Sequence, residues 1–596
     1  MIYVYKYNDR EIKMSNKEKT NSFMGNVAMI LFAQLMVKVL GLVYRMVITN
    51  IDGFGNTGNG FYNAGFQVYT VLLAISSVGI PNAIAKMVSE RVAVENYKGA
   101  HKVFTTALKL FSIIGLICTI ILYAGSDFIA VHIMNMNGSQ YVMRALAPSL
   151  FFVCVSSVIR GYFQGLSDMR ATSFSQMLEQ VFKSGLTIVF VILTVGVMPE
   201  IMQFLTRITM LYSPHGTTPP EIMAAWANAA SSAATVISFG YLLVFYLRRK
   251  KTIDEKIKNS IDDGKKQSSK QLMKKILMLS IPISLASIIT AINRVVDLAT
   301  ITRGIEIAFQ NGIPAISGNG AIASPSSQQL NTAAVTLSGM LSKSDTLFNM
   351  PLAVNIAFAT VLVPAISGAL AKGDTKEASE KTSYSLLISI LIILPCAVAY
   401  MVLSGPIYKI IYPATPDGAD LLTIMSVALV FSALTQTITG ALQGIGKVYV
   451  SAIAILVGCA FKVILNLTLI RIPEINIYGA AISSIVCQLV AFLINFFVLI
   501  RHIPVKLTIL KYIAKPLASG IAMAVSAGLV YWLSSSILGG GYINNLISTF
   551  IALCVSAVIY IAVVLGMHIM SKDDILLLPK GEKIYNLLTK LKIYKG

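Results

Sequence analysis

The chain has 596 residues, 55% of them hydrophobic and only 13% charged, whereas soluble globular proteins carry about 25% charged residues; by composition it is a membrane protein. A net charge of +21 would suit nucleic acid, but in so apolar a chain it belongs with the anionic headgroups of a cytoplasmic leaflet, so membrane lipids rather than nucleic acid are the expected partner. Five His, with no His-Glu-x-x-His, no Gly-x-x-x-x-Gly-Lys and no Cys-x-x-Cys, leave no sign of a metal, nucleotide or enzyme site, and no cofactor is expected.

Residues 1–21 form a polar tail, expected to be cytoplasmic, with no small-residue cleavage site before the first apolar run. Met14 opens a more typical start than Met1, so the first 13 residues read as an over-extended beginning. Apolar runs of about 20 residues, the length that crosses a ~30 Å hydrocarbon core, then follow at 22–49, 65–88, 103–124, 140–163, 174–198, 223–247, 276–302, 345–370, 384–404, 420–442, 449–470, 478–500, 514–535 and 546–570. The fold expected is all-α: a polytopic membrane protein of about 14 transmembrane helices. Gly53-Phe-Gly55-Asn-Thr-Gly58 has the spelling of a dinucleotide loop but follows a membrane span instead of a strand, and reads as a plain connection.

Charge fixes the expected orientation. Of the 48 Lys and Arg, only Arg207, Arg303, Lys343, Lys409 and Arg471 fall in one set of loops, eight fall within spans, and the remaining 35 fall on the other side, with Lys86 and Lys515 counted there because they stand at span ends on that side. By the positive-inside rule both termini are cytoplasmic. The longest basic stretch, 248–275, contains eleven Lys or Arg and reads as a solvated cytoplasmic linker. The outer segment from Arg303 to Lys343 is rich in Gly, Ser, Ala and Asn and is expected to be flexible. The six cysteines, Cys118, Cys154, Cys396, Cys459, Cys487 and Cys554, all lie in apolar runs and read as small interior residues.

The halves repeat. Gly161-x-x-Gln164-Gly165 followed by Phe182-Lys183 recurs as Gly440-x-x-Gln443-Gly444 followed by Phe461-Lys462, each position displaced by 279. Ile80-Pro81 and Val363-Pro364 echo each other more weakly. The implied plan is an N-lobe at 22–247, the linker at 248–275, a C-lobe at 276–500, two added spans within 501–570, and a cytoplasmic tail at 571–596. Two six-helix lobes in parallel repeat suit an alternating-access transporter with its site between them.

The eight span charges are Lys38, Arg45, Lys109, Arg144, Arg160, Lys183, Arg294 and Lys462. Lys109, Arg144 and Arg160 lie near span ends, where long side chains reach the interface; Arg45 sits near the outer end of the first span. Lys38, Lys183, Arg294 and Lys462 lie deeper, where each costs roughly 2.5–3.5 kcal/mol unless it meets water or a partner. Spacing offers two partners, Glu179 to Lys183 at i, i+4 and Asp297 to Arg294 at i, i+3. Lys38 and Lys462 have no carboxylate nearby in sequence. An aqueous cationic path suits an anionic amphiphile such as a pyrophosphate, since Lys and Arg both match phosphate oxygens.

Val158-Ile-Arg160-Gly-Tyr-Phe-Gln164-Gly165, Gln176-Met-Leu-Glu179-Gln180-Val-Phe-Lys183 and Leu403-Ser404-Gly405-Pro406 resemble the polysaccharide-transporter branch of the MATE-like superfamily, in particular the stage V sporulation protein B and MurJ-type lipid II flippases. Lys38-Val-Leu-Gly41 and Lys462-x-x-x-Asn466 also fit, and the likeness runs from about Thr20 to His502. The resemblance implies a two-lobed bundle with a cationic central cavity, moving an undecaprenyl-pyrophosphate-linked glycan precursor, with the last two spans making a groove for the polyprenyl tail. It matches Lys38 to a cavity arginine of the family, and with the span charges the expected substrate contacts are Lys38, Arg45, Arg294 and Lys462, supported by Arg160, Glu179, Lys183, Asp297 and Asn466. Asp345-Thr346 stands where the family carries an Asp-Arg pair, with Arg294 the candidate substitute. The expected activity is therefore that of a non-enzymatic flippase, a monomer coupled to membrane potential, Na+ or H+. A cation-coupled multidrug exporter of the same superfamily is the alternative, and predicts acidic residues in the cavity. A membrane glycan polymerase would need catalytic residues in a large outer loop.

Overall fold

The computed structural model describes residues 36–74, 79–195, 218–260, 268–315, 320–371, 373–505, 508–576, 585, 586, 589 and 590. The expected start at Met14 and the segment 1–35 lie outside them. Sixteen helices are numbered here: α1 (36–49), α2 (Gly55–Ala74), α3 (Ile80–Val92), α4 (Tyr97–Phe128), α5 (Ser139–Gly165), α6 (Arg170–Val195), α7 (Pro220–Lys258), α8 (Ser269–Ala308), α9 (Ser327–Ala371), α10 (Thr375–Ile411), α11 (Ala419–Gly444), α12 (Val448–Leu469), α13 (Ile477–His502), α14 (Lys515–Leu538), α15 (Tyr542–Gly566) and α16 (Lys572–Leu576). Over the described residues, each predicted span falls on a helix, the first on α1 from residue 36 and the second on α2 and α3 together. Ten helices are long and apolar enough to cross a membrane among the described residues. The protein is an all-α polytopic membrane protein; its one β-bridge among the described residues joins Ile313 to Ile322.

Two expectations are corrected. The segment Arg303–Lys343 is mostly helical: α8 continues to Ala308 and α9 begins at Ser327. A reciprocal cap explains the early start, because the Ser326 hydroxyl accepts from Gln329 N at 3.3 Å while the Gln329 side chain accepts from Ser326 N at 2.8 Å. Two otherwise unpaired amides are thereby satisfied, outweighing a Gly- and Ser-rich composition. The basic linker is likewise largely helix. α7 runs on to Lys258, and Ser268 and Gln271 cap α8 in the same way.

The described chain forms two compact units. The first comprises Met1–Ile48, Gly65–Ala130 and Gly138–Ile292; the second comprises Thr49–Ala64, Val131–Asn137 and Asn293–Gly596. The core of the first unit packs Phe104 and Phe111 of α4 with Val155, Tyr162 and Phe163 of α5 and Leu242 of α7. In the second, Leu337 and Leu341 of α9 meet Leu421 and Met425 of α11 and Ala480 of α13. The two added helices lie on α10, where Met523, Tyr560 and Val564 bury Leu387, Leu394 and Val398. Their other faces are apolar and open, with Ile537 81% and Phe550 67% exposed, as a lipid-facing surface requires.

The repeated Gly165 and Gly444 have a common structural cause. A Cβ on Gly165 would stand 2.6 Å from Val88 Cβ, and one on Gly444 would stand 2.9 Å from Ile366 Cβ. In each half a helix end closes onto its neighbour at backbone distance, which only glycine permits.

The turn between α5 and α6 is clamped by Asp168, whose carboxylate accepts from Arg170 Nε at 3.0 Å and pairs with Arg249 of α7. Burial would raise the Asp168 pKa, but the Arg170 hydrogen bonds and the Arg249 charge outweigh it and hold the group below its ordinary value. A carboxyl depressed in this way stabilises the fold at pH above its unfolded value of about 3.9, and that stability is lost as pH falls through the lower folded value. Asp168→Asn is expected to lower thermal stability by on the order of 1 kcal/mol at neutral pH and to flatten the acid limb. Melting followed by circular dichroism across that limb checks it; an unchanged acid limb removes the clamp from the account.

Candidate functional site

In the second unit, α8 and α12 bring three of the predicted residues together. Lys462 and Asn466 lie one turn apart on one face of α12 and both address Asp297 of α8. Lys462 Nζ stands 2.6 Å from Asp297 Oδ2, and Asn466 Nδ2 donates to Asp297 Oδ1 at 2.7 Å and to Thr300 Oγ1 at 3.0 Å. The Ser483 hydroxyl of α13 donates to Asn466 Oδ1 at 2.6 Å. Asn466 is wholly buried, and the Lys462 and Asp297 side chains are only 13% and 16% exposed. Lys462 is therefore not a spare cation: its counterion lies 165 residues away in sequence.

Asp297, expected to serve Arg294, has both oxygens committed to α12. Arg294 is exposed and makes no hydrogen bond or ion pair among the described residues. Among the described residues it is a membrane-depth guanidinium with no protein counterion, exposed at a position where a charge is costly unless water or an anion meets it.

In the first unit, Glu179 is likewise drawn to a different partner from the one its spacing suggests. Arg160 of α5 donates through Nη2 to Glu179 Oε2 at 2.9 Å and to Ser238 Oγ at 3.1 Å, and through Nε to Ser175 Oγ at 2.9 Å. The guanidinium fork binds three helices, α5, α6 and α7, and Arg160 is an internal tie. Lys183 instead lies over aromatic rings, 4.8 Å from the Phe66 centroid and 5.7 Å from that of Tyr44, an arrangement that favours the ammonium without cancelling its charge. Lys38 is exposed and Arg45 half-buried on α1. Seven residues, about 10 Å, separate them along one helix face. α1 packs toward α6, where Ser184 donates to Leu40 O at 3.4 Å.

Glu179 is the only carboxylate within the first six predicted spans, set against Lys38, Arg45, Lys109, Arg144, Arg160 and Lys183, with Lys86 at the end of the second. With Glu179 held by Arg160 and Arg144 paired with Asp127 at 2.5 Å, the membrane-depth charge of this half is strongly positive. Such a surface can hold and orient an anionic group; it offers no pair of acid and base for chemistry. No cluster of three His, Cys, Asp or Glu side chains suited to a metal occurs among the described residues.

Residues 23–370 match the model of a family described as polysaccharide biosynthesis protein. The chain belongs to that family. A second family model, MatE, matches residues 329–468. Among the relatives of this polysaccharide biosynthesis family member, the lipid II flippase MurJ of Bacillus subtilis (strain 168) is 24% identical over 550 residues, covering 88% of this chain and 91% of its own. Stage V sporulation protein B of the same organism is 23% identical, covering 94% and 98%. The solved structure of a lipid II flippase MurJ in an inward closed conformation superposes with a TM-score of 0.62 at 14% identity, covering 90% of this chain and 99% of that one, and shows the shared fold.

Sequence reasoning missed the hydroxyls that complete both clusters: Ser175, Ser238, Thr300 and Ser483. Small polar residues are common in membrane helices, and only their contacts single these out.

Proposed function

We propose that this family member is a flippase that carries an undecaprenyl-pyrophosphate-linked peptidoglycan precursor, lipid II, or a related lipid-linked oligosaccharide, across the bacterial cytoplasmic membrane by alternating access. The observation that carries this reading is the excess of cations over carboxylates at membrane depth, with Lys38, Arg45 and Lys183 in the first unit and Arg294 in the second, which suits a pyrophosphate whose charge cannot pass through lipid unaided. In this reading both termini are cytoplasmic, the unit of function is a monomer, and the membrane potential or an Na+ or H+ gradient drives the cycle. The superfamily alternative, export of cationic drugs, needs free carboxylates at membrane depth. Glu179 and Asp297 are neutralised by Arg160 and Lys462.

Vesicles holding the purified chain and fluorescent lipid II provide the test. Dithionite quenching from outside is expected to reach the dye of both leaflets with the protein and of one leaflet without it. Labelled lipid II that stays in its leaflet, while the same vesicles pump a cationic dye, overturns the reading in favour of drug export.

A further inference from the structure

Within the second unit, the last turn of α10 and the loop joining α14 to α15 leave a cavity of about 430 Å³ between them. Uncharged groups fasten its walls. Tyr531 Oη of α14 donates to Asn545 Oδ1 of α15 at 2.8 Å, Asn545 Nδ2 donates to Pro406 O of α10 at 3.1 Å, and Tyr542 Oη donates to Ile410 O at 3.2 Å. Lys409 also lines the cavity, exposed and with no hydrogen bond or ion pair among the described residues. No Asp or Glu lines it among those residues. Lys409 is one of five cations that the charge pattern places outside, where the positive-inside rule asks for none.

The loop is Gly539-Gly540-Gly541. Gly539 and Gly541 have φ of 75° and 124°, a region that calls for glycine. Gly540 has no positive φ, and a Cβ there would meet nothing within 4 Å. Neither backbone geometry nor packing within the protein accounts for it. A missing side chain at the rim of a cavity lets a ligand reach the main chain, and the Gly540 and Gly541 amides make no hydrogen bond among the described residues. Ser535 adds a hydroxyl that already donates to Trp532 O at 3.1 Å and is left able to accept. The surroundings face lipid: Trp532, Ile537 and Ile543 are all exposed. Trp and Tyr at helix ends mark the boundary between hydrocarbon and headgroups, so the cavity stands at the depth of lipid phosphates.

We propose that this cavity holds the headgroup of an anionic glycerophospholipid of the phosphatidylglycerol type, as a resident lipid of the outer leaflet and not as cargo. Lys409 and the Gly540 and Gly541 amides meet the phosphate, Ser535 accepts from a glycerol hydroxyl, and the acyl chains lie along the open faces of α14 and α15. A phosphatidylethanolamine is disfavoured, because its ammonium would meet Lys409 and no carboxylate. The choice of leaflet rests on the orientation given under the proposed function; the binding does not rest on transport.

Delipidated protein in detergent, titrated with one phospholipid at a time and followed by native mass spectrometry, tests the site. The wild type is expected to retain one phosphatidylglycerol roughly ten-fold better than a phosphatidylethanolamine of the same acyl chains, as one charge-assisted contact is worth. Lys409→Gln, and Gly540→Val, which fills the rim, should each lower retention to the phosphatidylethanolamine level, while Lys409→Arg keeps it. Arg471→Gln, which removes a different outer cation, should leave it unchanged. Without lipid, all variants should melt at the wild-type temperature; phosphatidylglycerol should raise that temperature in the wild type and not in Lys409→Gln. Equal retention of the two lipids, or wild-type retention in either Lys409→Gln or Gly540→Val, overturns the site. Inorganic phosphate or glycerol phosphate producing the same melting shift as the lipid would show a soluble-anion site and overturn the lipid assignment. A chain that binds phosphatidylglycerol as described but leaves lipid II in its leaflet keeps this inference and loses only the flippase reading.

Discussion

Asp297→Asn is expected to be the most destabilising single change at the charged clusters, because it strands the Lys462 ammonium in a nearly closed site. Removing one partner of a buried ion pair costs about 3–5 kcal/mol, since the remaining charge keeps its desolvation penalty and loses its compensation. Lys462→Met should cost a similar amount by stranding the carboxylate, although Asn466 still donates to it at 2.7 Å. The double variant Asp297→Asn/Lys462→Met carries no charge at the site and should regain most of the loss. Unfolding in detergent followed by circular dichroism, arranged as a double-mutant cycle, measures the coupling. Additive losses, with no recovery in the double variant, would show that the pair does not hold α8 to α12.

The second large effect falls on transport with the fold intact. Lys38→Glu places a negative charge on the exposed face of α1 and is expected to abolish leaflet exchange of labelled lipid II at normal protein yield and melting temperature. Loss of one charged contact to a bound anion is worth about 2 kcal/mol or more, roughly thirty-fold at 1.4 kcal/mol per decade, and reversal exceeds that. Lys38→Arg should retain transport. The uncharged Asp297→Asn/Lys462→Met pair should also retain it, because the Lys462 charge is already cancelled. Wild-type exchange in Lys38→Glu would take this residue out of the substrate path.

Span positions were legible because twenty apolar residues in a row have few other uses, and the repeat was legible because Gly165 and Gly444 answer the same steric demand in each half. Pairing was not. Spacing proposed Lys183 for Glu179 and Arg294 for Asp297, since a sequence displays only neighbours on its own helix. The true partners, Arg160 and Lys462, stand on other helices and win through better-supported geometry: a guanidinium fork shared by three helices in one unit, and an amide and two hydroxyls behind the carboxylate in the other. The start of α9 was hidden in a different way. Its Gly- and Ser-rich approach reads as loop unless the Ser326 to Gln329 spacing is read as a cap. Lys343, counted among the outer-loop charges, is 1% exposed and donates to Thr415 O at 2.6 Å and Asp417 O at 2.9 Å. Its role in holding the 412–418 turn could not be inferred from its position in the chain.

Lys183 and Lys462 occupy the same place in the two copies, yet one faces aromatic rings and the other a carboxylate. Gly458 stands where Glu179 has its duplicate position, so the second copy had to recruit its acid from another helix. The two copies are thus electrically unequal at matching positions. At membrane depth the first half carries Lys38, Arg45 and Lys183 beyond its Arg160–Glu179 pair, while the second carries Arg294 beyond its Lys462–Asp297 pair. In the proposed flippase, a charged headgroup would therefore find most of its cationic partners at membrane depth in the first half of the chain.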